Sequence, residues 1–234
     1  MKWLAVLLMV MTGNVSSEEI RVLSGGAAKS LVDPLAASFK GATVNVQYQP
    51  MGKLVQSLKA GDPADMVIVT TEVLPSLQLQ GKAIARVGIG VAVNEKAPSP
   101  DISTVEAFKQ TLLSAKSVVY IDPKVGTSGK HVAEVLERLG IAREVNAKAR
   151  LGSGGYIVEP VGKGEIELGI HQVSEIMPVK GVKLVGELPR ELQKYTVYVA
   201  VPIRSSPTVL AFIDHLTGPQ AKARLAQAGY TPPE

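Results

Sequence analysis

Three glycine-rich junctions carry the residues with the clearest chemical promise. Ser24-Gly25-Gly26-Ala27 follows an apolar run, Val125-Gly126-Thr127-Ser128-Gly129 follows Ile121-Asp122, and Gly152-Ser153-Gly154-Gly155 precedes Tyr156. Glycine lets backbone N–H groups approach a bound anion, and the positive end of a following helix favours that anion. Each junction alone also reads as an ordinary tight turn. The repetition of one signature is what points to an anion site, with Gly25, Gly26, Ala27, Thr127, Ser128, Ser153, Gly154 and Gly155 as its candidate positions. Lysines sharpen the pattern. Acidic residues are preferred in the first turn of a helix, yet Lys29, Lys53 and Lys130 stand in the opening turns of three expected helices. Two readings remain open: the lysines face solvent against a small dipole repulsion, or a multiply charged anion relieves it.

Other chemistries fail on residue type or spacing. Gly126-Thr127-Ser128-Gly129-Lys130-His131 is too short for a phosphate loop and has His131 where a magnesium-holding Ser or Thr belongs. Gly152-Ser153-Gly154-Gly155 lacks the G-x-S-x-G order of a nucleophile elbow. The absence of cysteine excludes disulfides, thiolate nucleophiles and Cys-ligated metal clusters. His131, His171 and His215 form no i, i+4 pair of imidazoles, so neither a histidine metal site nor a cofactor is expected. The charge balance, 25 basic against 21 acidic residues, is spread without basic runs, and aromatic content is 4%, which sets nucleic acid aside as a partner.

The elements that must position these loops alternate along the chain. Ile20–Ser24, Thr43–Tyr48 and Ala64–Thr70 read as strands, separated by helices over Ala27–Phe39, Leu54–Ala60 and Glu72–Gln80. After a long β-rich run over Ala83–Asn94 come helix Val105–Ala115, strand Ser117–Asp122 and helix Ser128–Leu139. A strand near Ala147–Leu151, helix Tyr156–Gly162 and strand Glu167–His171 follow. Tyr195–Ile203 is another long strand, and Pro207–Ala228 holds two helical stretches broken at Gly218-Pro219. Strand and helix alternation implies an α/β fold with mostly parallel sheets flanked by helices. Two lobes with a ligand cleft between them fit best, the two long strands being the crossovers. Residues 18–88 with 202–234 form the first lobe and 89–201 the second.

Residues 1–17 read as a removable signal peptide. Lys2 supplies the positive start, Trp3–Met11 an apolar run too short to span a bilayer, and Val15-x-Ser17 the small residues before a cleavage at Glu18. With no cysteine for a lipid anchor, the mature chain is expected in a periplasm.

Five stretches give the mature chain a resemblance to the periplasmic substrate-binding proteins of molybdate ABC importers, within the class II binding-protein fold. They are Ile20-Arg21-Val22-Leu23, the run Ala60-Gly61-Asp62-Pro63-Ala64-Asp65-Met66-Val67-Ile68, Thr127-Ser128-Gly129, Glu167-Leu168-Gly169-Ile170, and Gly218-Pro219-Gln220-Ala221. The resemblance implies a monomer that captures a small anionic ligand and delivers it to a membrane ABC permease. It also implies where this chain departs. Places where molybdate binders offer Ser hydroxyls fall on Ala27 and on Met51 or Gly52, and a Tyr after the L-G-I strand falls on Gln172. Backbone donors near Ser128 and Gly154 survive any side chain. The scaffold carries over and the molybdate ligand set does not, which favours a larger anion such as a polycarboxylate. Periplasmic aconitate isomerases look like members of the same scaffold family, so an isomerase of a tricarboxylate is the alternative. For that chemistry Lys29, Lys53, His131 and Tyr156 are the available acid, base and charge-holding groups.

Overall fold

Short apolar runs and amphipathic stretches assemble two sheets in a computed structural model that describes residues 18–233. The leader expected over 1–17 lies outside the described residues. The first half contains β1 (Glu19–Gly25), α1 (Lys29–Ser38), β2 (Thr43–Gln49), α2 (Met51–Ala60), β3 (Met66–Thr70), α3 (Leu74–Leu77) and β4 (Lys82–Val87). The second contains β5 (Ile89–Asn94), α4 (Val105–Ser114), β6 (Val118–Ile121), α5 (Thr127–Arg138), α6 (Ala142–Asn146), β7 (Ala149–Gly152), α7 (Glu159–Gly162), β8 (Leu168–Gln172), α8 (Val173–Ile176) and β9 (Val182–Glu187). The chain then returns through β10 (Thr196–Pro202), α9 (Pro207–His215) and α10 (Pro219–Arg224).

The two sheets share one layout. The first runs β2-β1-β3-β10-β4 and the second β7-β6-β8-β5-β9. In each, three strands joined through helices are parallel, because a crossover helix returns the chain to the same end of the sheet. The fourth strand, β10 or β5, arrives from the other half and enters antiparallel to both its neighbours. The α/β class is as expected, with mixed pairing where mostly parallel sheets were expected. Met66-Val67-Ile68-Val69-Thr70 is buried on both faces, as a central strand must be. Leu31, Leu54, Ile68 and Phe212 anchor one apolar core, and Phe108, Leu112, Tyr120 and Leu136 another.

Several boundaries move for identifiable reasons. The long run over 83–94 divides at Gly88 into strands of different sheets. Thr196–Val201, expected in the second unit, pairs with β3 and β4 in the first, so the return crossover lies before Thr196. The helices expected over 72–80 and 156–162 are shorter. Pro75 and Pro160 sit in the first turns of α3 and α7, where the missing N–H costs no hydrogen bond, and mark their starts. No helix among the described residues is long and apolar enough to cross a membrane.

Candidate functional site

Three long helices open onto one cavity of about 250 Å3 between the two sheets. The loop Gly25-Gly26-Ala27 leads through a short 3-10 turn into α1, Pro50-Met51 starts α2, and Gly126-Thr127-Ser128 starts α5; all of these residues line the cavity. The first N–H groups of a helix have no partner within it. In α4 and α9 they are capped by side chains, Thr104 Oγ1 accepting from Ala107 N–H and Ser206 Oγ from Val209 N–H. α1, α2 and α5 have neither a side-chain cap nor an acidic residue in the first turn. In α1 the Lys29 N–H already donates to Gly26 O, so the amides facing the cavity are those of the Gly25–Ala27 loop and of the starts of α2 and α5, an arrangement suited to an anion. Gly129 lets α5 pack this closely: a Cβ there would sit 2.1 Å from Ile121 O. On the far wall, Gly154 adopts φ +134°, and the adjoining rims touch, a Cβ on Gly154 lying 3.2 Å from Pro50 Cγ and one on Gly52 3.7 Å from Val125 O.

The polar lining is mixed in sign. Lys29 Nζ pairs with Asp33 Oδ2 at 2.5 Å and lies 4.6 Å from the centre of the Tyr48 ring, while Tyr48 O–H donates to Asp33 Oδ1 at 2.6 Å. Burial and then the Asp33 bond push the Tyr48 hydroxyl far above the usual phenol range, so it stays a neutral donor. At the floor, His171 Nε2 faces two acceptors, Glu175 Oε2 and Gly155 O, each at 3.0 Å, and must carry the proton. Burial disfavours the imidazolium, but the Glu175 charge and hydrogen bond outweigh it and raise the His171 pKa above its ordinary value. Glu175 Oε1 approaches the first loop, 3.5 Å from where a Cβ on Gly26 would lie. Tyr198 O–H donates to Gln172 Oε1 at 3.2 Å. Two buried nitrogens here, Gln172 Nε2 and His171 Nδ1, have no hydrogen-bond partner among the described residues. A buried unsatisfied donor is uncommon in a folded protein and marks a place for a ligand atom.

Most of the sequence-derived positions come together. Gly25, Gly26, Ala27, Lys29, Met51, Thr127, Ser128, Ser153, Gly154, Gly155, Tyr156 and Gln172 all line this cavity. The other two lysines do not: Lys53 and Lys130 are exposed and away from the lining, as is Gly52. They occupy the first turns but lie on the solvent side of α2 and α5. His131, a candidate for acid–base work, instead bonds Leu192 O at 2.7 Å outside the cavity. Sequence reasoning missed Tyr48, Gln49, His171, Glu175 and Tyr198. The available signal was position: β2 and β8 end at Gln49 and Gln172, and ligands of open α/β sheets bind beyond strand carboxyl ends.

The chain is 30% identical to an aconitate isomerase of Pseudomonas sp., over 98% of this chain and 95% of that one. It is 26% identical to the molybdate-binding protein ModA of Escherichia coli K12, over 98% of both chains. Its fold matches the periplasmic molybdate-binding protein of Azotobacter vinelandii with a TM-score of 0.74 at 17% identity, covering 92% of this chain and all of that one. Residues 20–231 match the family model for bacterial extracellular solute-binding proteins, and the chain belongs to that family.

Proposed function

We propose that this chain captures a small organic polyanion, a di- or tricarboxylate, in the cavity between its sheets and delivers it to a membrane ABC permease. The observation that carries this reading is the convergence of three uncapped helix N-termini, Lys29 and the unpaired Gln172 amide on one cavity. Size allows a carboxylic acid. The cavity, about 250 Å3 and partly open to solvent, has room for a branched acid. Chemistry agrees: Ala27 and Met51 offer no hydroxyl where the molybdate-binding pattern would have serines. The loop amides at Gly25–Ala27, Thr127–Ser128 and Ser153–Gly155 would hold carboxylate oxygens, with Lys29 countering charge. The likeness to an aconitate isomerase points to the same ligand class.

On this reading, residues 18–88 with 196–233 form one lobe and 89–195 the other, closing about Gly88 and the segment 188–195. The protein is exported to the periplasm through cleavage before Glu18, which mass spectrometry of the secreted chain checks by its first residue. A screen of molybdate, tungstate, sulfate, phosphate and di- and tricarboxylates by thermal shift and calorimetry tests the ligand class. A tricarboxylate should raise the melting temperature by preferential binding to the folded state. Nanomolar molybdate affinity without any response to carboxylates would overturn it. A second reading adds isomerisation of the captured acid. The carboxylate and imidazole of Glu175 and His171, paired at 3.0 Å in the cavity lining, favour it as a candidate acid–base set.

A further inference from the structure

We infer that Glu175 is the proton-transferring base of an allylic isomerisation of an unsaturated tricarboxylate, and that His171 is the residue that positions it. The inference rests on the polycarboxylate reading above and gives its site a chemistry. Glu175 is 6% exposed and lines the cavity. Its Oε2 is held by His171 Nε2 at 3.0 Å, and that imidazole is itself fixed by Gly155 O. Oε1 is aimed at Gly26, on the loop whose amides would hold a substrate carboxylate. A carboxylate so placed repels a bound anion and weakens capture. With Oε2 occupied by His171, Oε1 is left in position to take a proton from a carbon beside that anion.

The step balances within the substrate and one side chain. Glu175 removes a proton from the saturated carbon next to a carboxylate, and the electron pair of the broken C–H bond forms a new C=C. The former C=C pair moves outward, so negative charge spreads onto the terminal carboxylate as a dienolate. The Gly25–Ala27 loop and the start of α5 line the cavity where that charge develops, and the unpaired Gln172 N–H adds a donor. The protonated Glu175 then returns its proton to the far allylic carbon. Formula and charge are unchanged and no co-reactant is consumed. His171, charged or neutral, donates to Oε2 throughout and leaves Oε1 as the basic atom. Tyr156 and Tyr198, both raised in pKa chiefly by burial, remain hydroxyl donors and do not compete as bases.

The test incubates the exported chain with trans-aconitate in D2O and follows the allylic CH2 signal and the cis isomer by proton NMR, with binding measured in parallel by calorimetry. Wild type should exchange and isomerise. Glu175→Gln should bind as well as wild type or better and lose at least about a hundredfold in turnover. Glu175→Asp, which keeps the charge but draws it back one methylene, keeps the base should the amide variant not fold, and should isomerise slowly with wild-type binding. His171→Asn should shift the pH profile of turnover with little change in affinity, which a purely structural role would not do. Wild-type binding without exchange or isomerisation overturns this inference and leaves capture standing. So does isomerisation by Glu175→Gln or Glu175→Asp at the wild-type rate. Absence of binding together with absence of turnover sinks the polycarboxylate reading itself.

Discussion

Lys29 does not wait in the cavity as a free charge, and this makes Asp33 a lever on affinity. The ammonium sits 2.5 Å from Asp33 Oδ2, one turn along α1, with both side chains roughly half exposed. An incoming carboxylate must compete with Asp33 for it. An exposed i, i+4 pair is worth only about 0.3–0.5 kcal/mol, and at most ~1 kcal/mol with good geometry. Asp33→Asn removes that competition while its amide oxygen still accepts from Tyr48 O–H. Binding of a tricarboxylate should then tighten by about two- to fivefold, the Kd ratio for ~0.4–1 kcal/mol. Lys29→Met should weaken binding by about 1–2 kcal/mol, five- to thirtyfold, a charge-assisted hydrogen bond discounted for solvent exposure. The double variant decides the mechanism. If Asp33 acts by occupying Lys29, its replacement should gain nothing once residue 29 is Met, and the non-additivity should equal the single-variant gain. Calorimetry of all four proteins at one salt concentration measures the cycle. Equal tightening in the presence and absence of Lys29 would refute competition and leave only long-range charge removal. Unchanged affinity in Lys29→Met would remove the lysine from recognition altogether.

Gln172→Leu deletes the buried unpaired N–H and should weaken tricarboxylate binding about tenfold, while thermal scans show a small loss from the orphaned Tyr198 hydroxyl. Gly129→Ala drives a methyl against Ile121 O and should destabilise the fold by about 1–3 kcal/mol in denaturant titrations. Asp65 is buried; burial would raise its pKa, but bonds from Arg21 and the Arg204 charge hold it below 3.8. Its folded-state pKa is depressed, so its stabilisation is present at neutral pH and is lost as pH falls below about 4 through the folded value. Asp65→Asn should therefore lower the melting temperature at pH 7, and the difference from wild type should shrink as the pH falls through the depressed folded-state pKa.

The parts of this molecule legible in its sequence are those governed by local rules. Glycine loops ahead of helices and apolar runs act within a few residues, and they located the α1 and α5 openings and most of the strands, whereas the antiparallel entry of β5 and β10 depends on which sheet each strand joins. Lys53 and Lys130 stand where expected in their helices, but which side of a helix faces the cavity depends on how the second sheet docks against the first. β9 was not anticipated because Val182–Glu187 is only partly buried on either face, leaving no clean alternation to read. His171 and Glu175 look like isolated polar residues in sequence. Only the four-residue α8, too short for any periodic signal, brings the carboxylate back over the imidazole at the end of β8.

The touching rims have a kinetic consequence. Where Pro50 nears Gly154 and Gly52 nears Val125, the two halves approach each other through a proline ring and main chain, not through side chains that swing aside. On the capture reading, an occupant gripped by both halves leaves when they part, so its residence time has a floor set by the protein's own opening rate. Ligands that differ in hydrogen-bond count but fit the same closed shape should dissociate with similar rate constants. Affinity differences among them should then appear in how fast each is trapped on arrival. Emptying the cavity on demand requires something that pulls the halves apart.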